Sequence, residues 1–277
     1  MDRKTVVITG ASDGIGAAAA RALVSRGHRV ILVGRSPATA AALAAELGMP
    51  FHTADYARLD DVVRLARQLR AYDRVDVLAN NAGAVMKQRL ITVDGFEQTL
   101  QVNFLAPFLL TNLLADRLCA CSATVLQTSS IAAVLYGGRF DLQDLNGEKR
   151  FDPLHAYGNT KLENVLFTRE LVRRFGGRGL HAAAFEPGVV RSNFASEAHP
   201  FLRLAYHSPL KYLFTVSPER SARRLVRLAE GVPGRDFEDG AAYRFRRPFR
   251  VTLRDPEGKT AALLWDRCAE LLSSRLN

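Results

Sequence analysis

Cysteine, tryptophan and long apolar runs are all scarce in this chain of 277 residues. Only three cysteines occur, Cys119, Cys121 and Cys268. Their odd number, with no Cys-x-x-Cys pair and no cysteine–histidine cluster, excludes a disulfide framework and a structural zinc site. Reduced thiols and a cytoplasmic location are the expectation, and no metal is expected. The longest apolar run, Phe104–Leu110, soon meets Asn112 and Asp116. A membrane-spanning helix needs roughly 20 apolar residues. The strand-like pattern begins by about residue 4, which leaves no room for a secretory leader. Peripheral contact with a membrane stays open.

Acidic residues are also in deficit: 28 Asp and Glu face 38 Lys and Arg, for a net charge of +10. Such a balance suits phosphate-bearing ligands, anionic membranes or nucleic acid. The densest basic stretch is Tyr243–Arg250, Y-R-F-R-R-P-F-R. It reads either as a solvated strand edge or as a binding surface. No nucleic-acid-binding motif accompanies it, so nucleic acid is not an expected partner.

What the chain does have is rhythm. Apolar, β-branched runs near 4–9, 28–34, 50–53, 75–79, 123–128 and 180–185 alternate with helical patterns near 15–26, 37–47, 58–71, 95–118 and 155–175. A helix near 217–230, a strand near 241–247 and a helix near 258–274 follow. Near-continuous apolar strands separated by amphipathic helices imply an α/β fold, a doubly wound parallel sheet with helices on both faces. The whole of 1–277 reads as one domain. Residues 136–153 and 188–216 break the rhythm, and long connections of this kind commonly wall or cover a site.

The first strand runs into T-G-A-S-D-G-I-G, residues 9–16. A strand that feeds a helix leaves unpaired N–H groups and the positive end of a helix dipole at the turn, a ready anion site. Gly10 permits the tight turn, while Gly14 and Gly16 admit a pyrophosphate and the neighbouring strand. With Ser12, Asp13 and Ile15 they form the candidate dinucleotide loop of a Rossmann-type sheet. The second strand ends Val33-Gly34-Arg35-Ser36, without a carboxylate to bind a ribose hydroxyl. Arg35, seconded by Ser36, points to NADP(H) over NAD(H). Asp13 counts against a second phosphate nearby.

Taken in order, Thr9-Gly10-x-x-x-Gly14-x-Gly16, Asn80-Asn81-Ala82-Gly83, Asn103, Ser130 and Tyr157-x-x-x-Lys161 resemble the short-chain dehydrogenase/reductase family over about residues 4–192. F-D-L-Q-D-L at 140–145, the run Ala156–Leu171, P-G-V-V-R-S at 187–192 and L-W-x-x-C-x-E-L-L at 264–272 resemble its retinol dehydrogenase-like branch. Tyr157 and Lys161 lie four residues apart, on one face of a helix. A phenol titrates near ~10, and a neighbouring ammonium favours its ionised form. Tyr157 can then give a proton to a carbonyl oxygen or take one from an alcohol. The resemblance implies that Lys161 also holds the nicotinamide ribose. It implies that Ser130, rather than adjacent Ser129, polarises the substrate oxygen. Asn103 matches an asparagine that anchors a water relay, with a buried amide bonded to backbone as the alternative. Asp55 fits a residue contacting adenine, or an ordinary capping aspartate. Asn81, Ala82 and Gly83 would approach the adenosine, and Pro187, Gly188, Val190 and Ser192 the carboxamide. Thr160 and Glu186 depart from the branch's usual residues.

Residues 201–214 carry apolar and aromatic side chains with few acids, which suggests an apolar aldehyde, ketone or alcohol as substrate. No membrane anchor of the vertebrate retinoid enzymes is visible, so retinol is not carried over. By the same resemblance, Leu105, Leu109 and Leu113 are either contacts to a second copy of the chain or intramolecular core. Two other readings stand beside the enzyme: a non-catalytic NADP(H)-binding regulator or scaffold, and a membrane or nucleic-acid binder using Arg244–Arg250.

Overall fold

The computed structural model describes residues 2–138, 141–188, 216–249, 251 and 259–276. Its strands are Thr5–Thr9 (β1), Arg29–Gly34 (β2), Phe51–Thr53 (β3), Val77–Asn80 (β4), Thr124–Thr128 (β5), His181–Glu186 (β6), Ala242–Arg244 (β7) and Arg247–Pro248 (β8). They form one sheet ordered β3-β2-β1-β4-β5-β6-β7-β8, in which only the β7–β8 pair is antiparallel. Residues alternate between two separate cores, as a period of two requires. Val7, Ile31, Leu78 and Val125 face one side, and Val6, Val30, Leu32 and Leu126 face the other.

Helices cover both faces. Gly14–Val24 (α1), Pro37–Leu47 (α2) and Pro218–Glu230 (α9) are built against the second core; Leu59–Arg70 (α3) and Pro153–Phe175 (α8) are built against the first. Where one helix over 95–118 is expected, the chain is segmented into Gln98–Leu100 (α4), a π turn over Gln101–Leu105, Ala106–Leu113 (α5) and Ala115–Ala120 (α6). Pro107 is the cause. It has no N–H for the carbonyl of Asn103 four residues back, and the ladder widens until Ala106 N–H reaches Gln101 O.

The remaining helices are Ala132–Leu135 (α7), Thr260–Leu271 (α10) and Ser273–Leu276 (α11). Trp265 of α10 sits among Phe108, Phe167 and Phe175, with ring centres 4.9, 5.4 and 5.9 Å away. Leu105 and Leu109 are completely buried in the first core and so are intramolecular, whereas Leu113 is only partly buried against it. No helix among the described residues is long and apolar enough to cross a membrane.

Candidate active site

β1 pairs with β2 on one side and β4 on the other, so the strand order reverses there. Ligands of open α/β sheets bind at such a point, beyond the carboxyl ends of the strands. The loops leaving β1 and β4 meet there through Thr9, whose Oγ1 accepts from the backbone N–H of Asn81 and of Ala82, each at 3.0 Å. The Asn81 side chain donates back to Thr9 O at 3.0 Å. Gly10 has φ of 65°, and a Cβ there would lie 2.8 Å from Ala82 Cα. Gly16 is equally constrained, since its Cβ would stand 2.2 Å from Gly10 O. Asp13 caps α1 by accepting from Gly14 N–H at 2.6 Å, while Ile15 packs against the second core.

Three hydrogen-bond donors stand at the end of β2. Ser12 Oγ is buried without a hydrogen-bond partner among the described residues and fills the notch at Gly34, where a Cβ would lie 2.0 Å from it. Arg35 is exposed, and no side-chain hydrogen bond or ion pair engages it among the described residues. Ser36 caps α2, its Oγ accepting from Thr39 N–H at 3.5 Å, which leaves its O–H to donate. Asp55 closes a local turn by accepting from Ala57 N–H at 3.0 Å.

Lys161 is 3% exposed. Its Nζ donates to Thr128 O at 3.1 Å and lies 5.3 Å from the centre of the Tyr157 ring. Burial lowers its pKa to about 8. Gly83 makes room for this group: a Cβ there would stand 3.4 Å from Lys161 Nζ and 2.6 Å from Asn103 Oδ1. The Asn103 side chain grips the backbone of Ala84, accepting from its N–H at 2.8 Å and donating to its carbonyl at 2.7 Å. Its own carbonyl, released by Pro107, accepts from Asn164 Nδ2 of α8 at 3.3 Å.

The two serines after β5 divide their work. Buried Ser129 donates to Lys161 O at 2.7 Å and ties the strand to α8. Half-buried Ser130 accepts from Ala132 N–H at 3.2 Å, and its O–H has no acceptor among the described residues. Gly158 lets α7 lie directly on α8, because a Cβ there would be 2.8 Å from Ala132 O. Ser130 therefore leads into a segment held against the turn of helix that carries Tyr157. Thr160, in the place of a serine, bonds Tyr157 O at 2.8 Å.

Glu186 has a larger structural part than its sequence position suggested. It is buried, and its Oε1 accepts from Gly188 N–H at 2.8 Å. Arg224 of α9 donates to Glu186 O at 2.7 Å and stands 3.5 Å from Oε2. Ser221 adds a bond to Pro187 O at 2.8 Å. The Pro187–Gly188 turn is thus pinned from below, and sequence reading missed Arg224 altogether. Val190, Ser192 and the rest of the expected cover to residue 215 lie outside the described residues, as does Arg250. The described part of 136–153 docks through Asn146, which accepts from Glu97 N–H at 2.9 Å. It encloses a cavity of about 320 Å³ against His155, Asn159 and Glu163 of α8, and neither Tyr157 nor Lys161 lines it.

The family model of short chain dehydrogenases matches residues 4–141. A Streptomyces sp. (strain C5) protein named "Putative daunorubicin C-13 ketoreductase DnrU" is 36% identical over 96% of this chain and 91% of its own length. Retinol dehydrogenase 12 of Homo sapiens is 36% identical over 98% of this chain and 87% of its own. A crystal structure of an uncharacterized protein from Mycobacterium Paratuberculosis superposes with a TM-score of 0.77 at 33% identity, over 98% of this chain and 93% of that one.

Proposed function

The chain belongs to the short-chain dehydrogenase/reductase family, in its retinol dehydrogenase-like branch, and is an oxidoreductase; from that premise we propose that it interconverts an apolar aldehyde or ketone and the matching alcohol with NADP(H). The observation that carries the reading is the buried Lys161 ammonium set against the Tyr157 ring. A charge is not buried without return, and a scaffold that merely bound nucleotide has no use for this one. The orphaned Ser12 Oγ and the unengaged Arg35 fit a phosphorylated ribose at the end of β2. When bound, the reduced nicotinamide supplies a hydride. The chain supplies the rest. Ser130 O–H steadies the substrate oxygen as its charge grows. Tyr157 Oη hands that oxygen a proton during reduction, and Lys161 stabilises the phenolate left behind. Asn103 and Gly83 keep the lysine in place, and the Pro187–Gly188 turn offers backbone to the carboxamide.

The names of the relatives support a ketone or an alcohol as the substrate class, since one is named for a ketoreductase and the other for a retinol dehydrogenase. Consumption of NADPH and of NADH should be followed against a panel of apolar aldehydes and ketones. The reading expects turnover with NADPH and at least tenfold less with NADH. No turnover of any carbonyl or alcohol in the panel would favour the non-catalytic alternative.

A further inference from the structure

The net positive charge is not spread evenly. A groove of about 770 Å³ runs along α9 between the end of α1 and the β7–β8 turn, and seven arginines line it against two carboxylates, Glu230 and Asp236. Arg220, Arg223, Arg224 and Arg227 recur at helical spacing on α9, facing Arg26 and Arg246. Some of these charges are neutralised at home: Arg26 meets Glu230 at 2.5 Å and Arg224 meets Glu186. Others are not. No side-chain partner engages Arg220, Arg223 or Arg246 among the described residues. Arg227 bonds Asp236 O through Nη1 at 3.2 Å, yet its Nη2 is buried with no hydrogen-bond partner among the described residues.

The groove is held open at some cost. Like charges three and four residues apart on a helix repel one another. Phe245 forms a wall at the tip of the β7–β8 turn with φ of 58°, a conformation unfavourable for a bulky side chain. Its ring covers the Arg224 guanidinium, 4.2 Å from ring centre, and fixes that group's orientation. Arg224 is only 8% exposed, so the floor is a desolvated guanidinium below a rim of solvated ones. Concentrated, partly unpaired guanidinium forks in a concavity match the bidentate geometry of phosphate oxygens. A solvated strand edge, the plainer reading of the basic stretch at Tyr243–Arg250, requires no buried donor left without an acceptor.

We propose that this arginine groove is a second anion site, distinct from the cofactor loop, which binds a molecule carrying two or more phosphate groups. β2, which ends at Arg35, and β7 are separated by β1, β4, β5 and β6 in the sheet, roughly 24 Å at ordinary strand spacing. One phosphate would take Arg227 on the floor, with Arg224 behind it held by Glu186, and a second would take Arg220, Arg223 and Arg246 at the rim. A free polyphosphate compound and the headgroup of an anionic lipid present the same chemistry, and the two differ in how they reach the groove.

The test uses the full chain with NADPH at saturation, so that the cofactor loop is filled. Inorganic tripolyphosphate is titrated by calorimetry; in parallel, sedimentation is measured with phosphatidylcholine vesicles containing phosphatidylinositol 4,5-bisphosphate, whose headgroup carries several phosphates. The expected result is binding of tripolyphosphate that raises Tm and weakens at least about tenfold in R220Q/R223Q/R246Q, three exposed positions whose change leaves the core intact. R35Q should leave that binding unchanged. Vesicle binding lost in the triple variant, with tripolyphosphate weak, would support the site and assign it to a lipid headgroup. Binding that survives the triple variant, that disappears in R35Q or under NADPH, or that occurs with neither probe would overturn the proposal.

Discussion

Replacing Lys161 by methionine should make the protein inactive and more stable. An unfolded lysine titrates at 10.5 and this buried one at about 8. At 1.36 kcal/mol per pH unit, holding the ammonium inside the folded chain costs about 3 kcal/mol at any pH below 8. Methionine keeps the stem's length and removes the charge. Against that gain stands the lost bond to Thr128 O, which contributes about 1 kcal/mol. The net expectation is a K161M variant about 2 kcal/mol more stable at pH 7. The sign can be checked with pH. The folded lysine has the depressed value, so the unfolded chain binds the extra proton between about 8 and 10.5, and wild-type stability climbs through that window. By pH 9.5 the cost has fallen to roughly 1.5 kcal/mol, and the advantage of K161M should shrink to well under 1 kcal/mol. Urea denaturation of both proteins at pH 7 and 9.5, beside turnover assays, measures it. A K161M protein less stable than wild type at pH 7, or with an advantage independent of pH, would refute the idea that an uncompensated charge is stored at this site.

Other expectations are as direct. Glu163 is buried and its pKa is raised to about 8, by burial first and then by the charge of Glu97. Its folded form keeps a proton that the unfolded chain loses above 4.5, so stability should fall by about 2 kcal/mol from pH 5 to pH 7, and Glu163→Gln should flatten that slope in chemical denaturation. An unchanged slope would show that Glu163 is not the group responsible. Arg35→Asp should move cofactor preference from NADPH toward NADH by tenfold or more in kcat/KM; equal preference before and after would remove Arg35 from reading the phosphate. The neighbouring serines should separate cleanly. Ser129→Ala loses a buried bond and about 1–2 kcal/mol of stability while retaining turnover, whereas Ser130→Ala folds normally and loses about a hundredfold in kcat.

Much of this site was legible because its chemistry is carried by local spacing. Tyr157 and Lys161 fall on one helix turn, and the glycines of 10–16 announce a strand that feeds a helix. Gly10 and Gly16 can be read from sequence because no other residue fits beside Ala82 and Gly10 O. Ser130 was distinguishable from Ser129 only by likeness to the family; the physical reason, that Ser129 is engaged by the Lys161 carbonyl, required tertiary structure. The segmented helix over 98–120 could have been anticipated, since Pro107 lies inside an otherwise continuous helical pattern. Arg224 could not. Its contacts with Glu186 join residues 38 positions apart, and a lone arginine on a basic helix gives no hint of burial. The leucines at 105 and 109 show the same limit, because an apolar helical face does not say whether the same chain or a second copy covers it.

The account stands most directly on Tyr157→Phe, studied with NADPH and whichever carbonyl compound turns over best. Loss of the hydroxyl alone should reduce kcat by about a hundredfold or more while the Kd for NADPH, read from nucleotide fluorescence, stays within about threefold. A variant that still reduces its substrate at close to the wild-type rate would show that the proton comes from elsewhere, and the arrangement of Lys161 against this ring would then need another purpose.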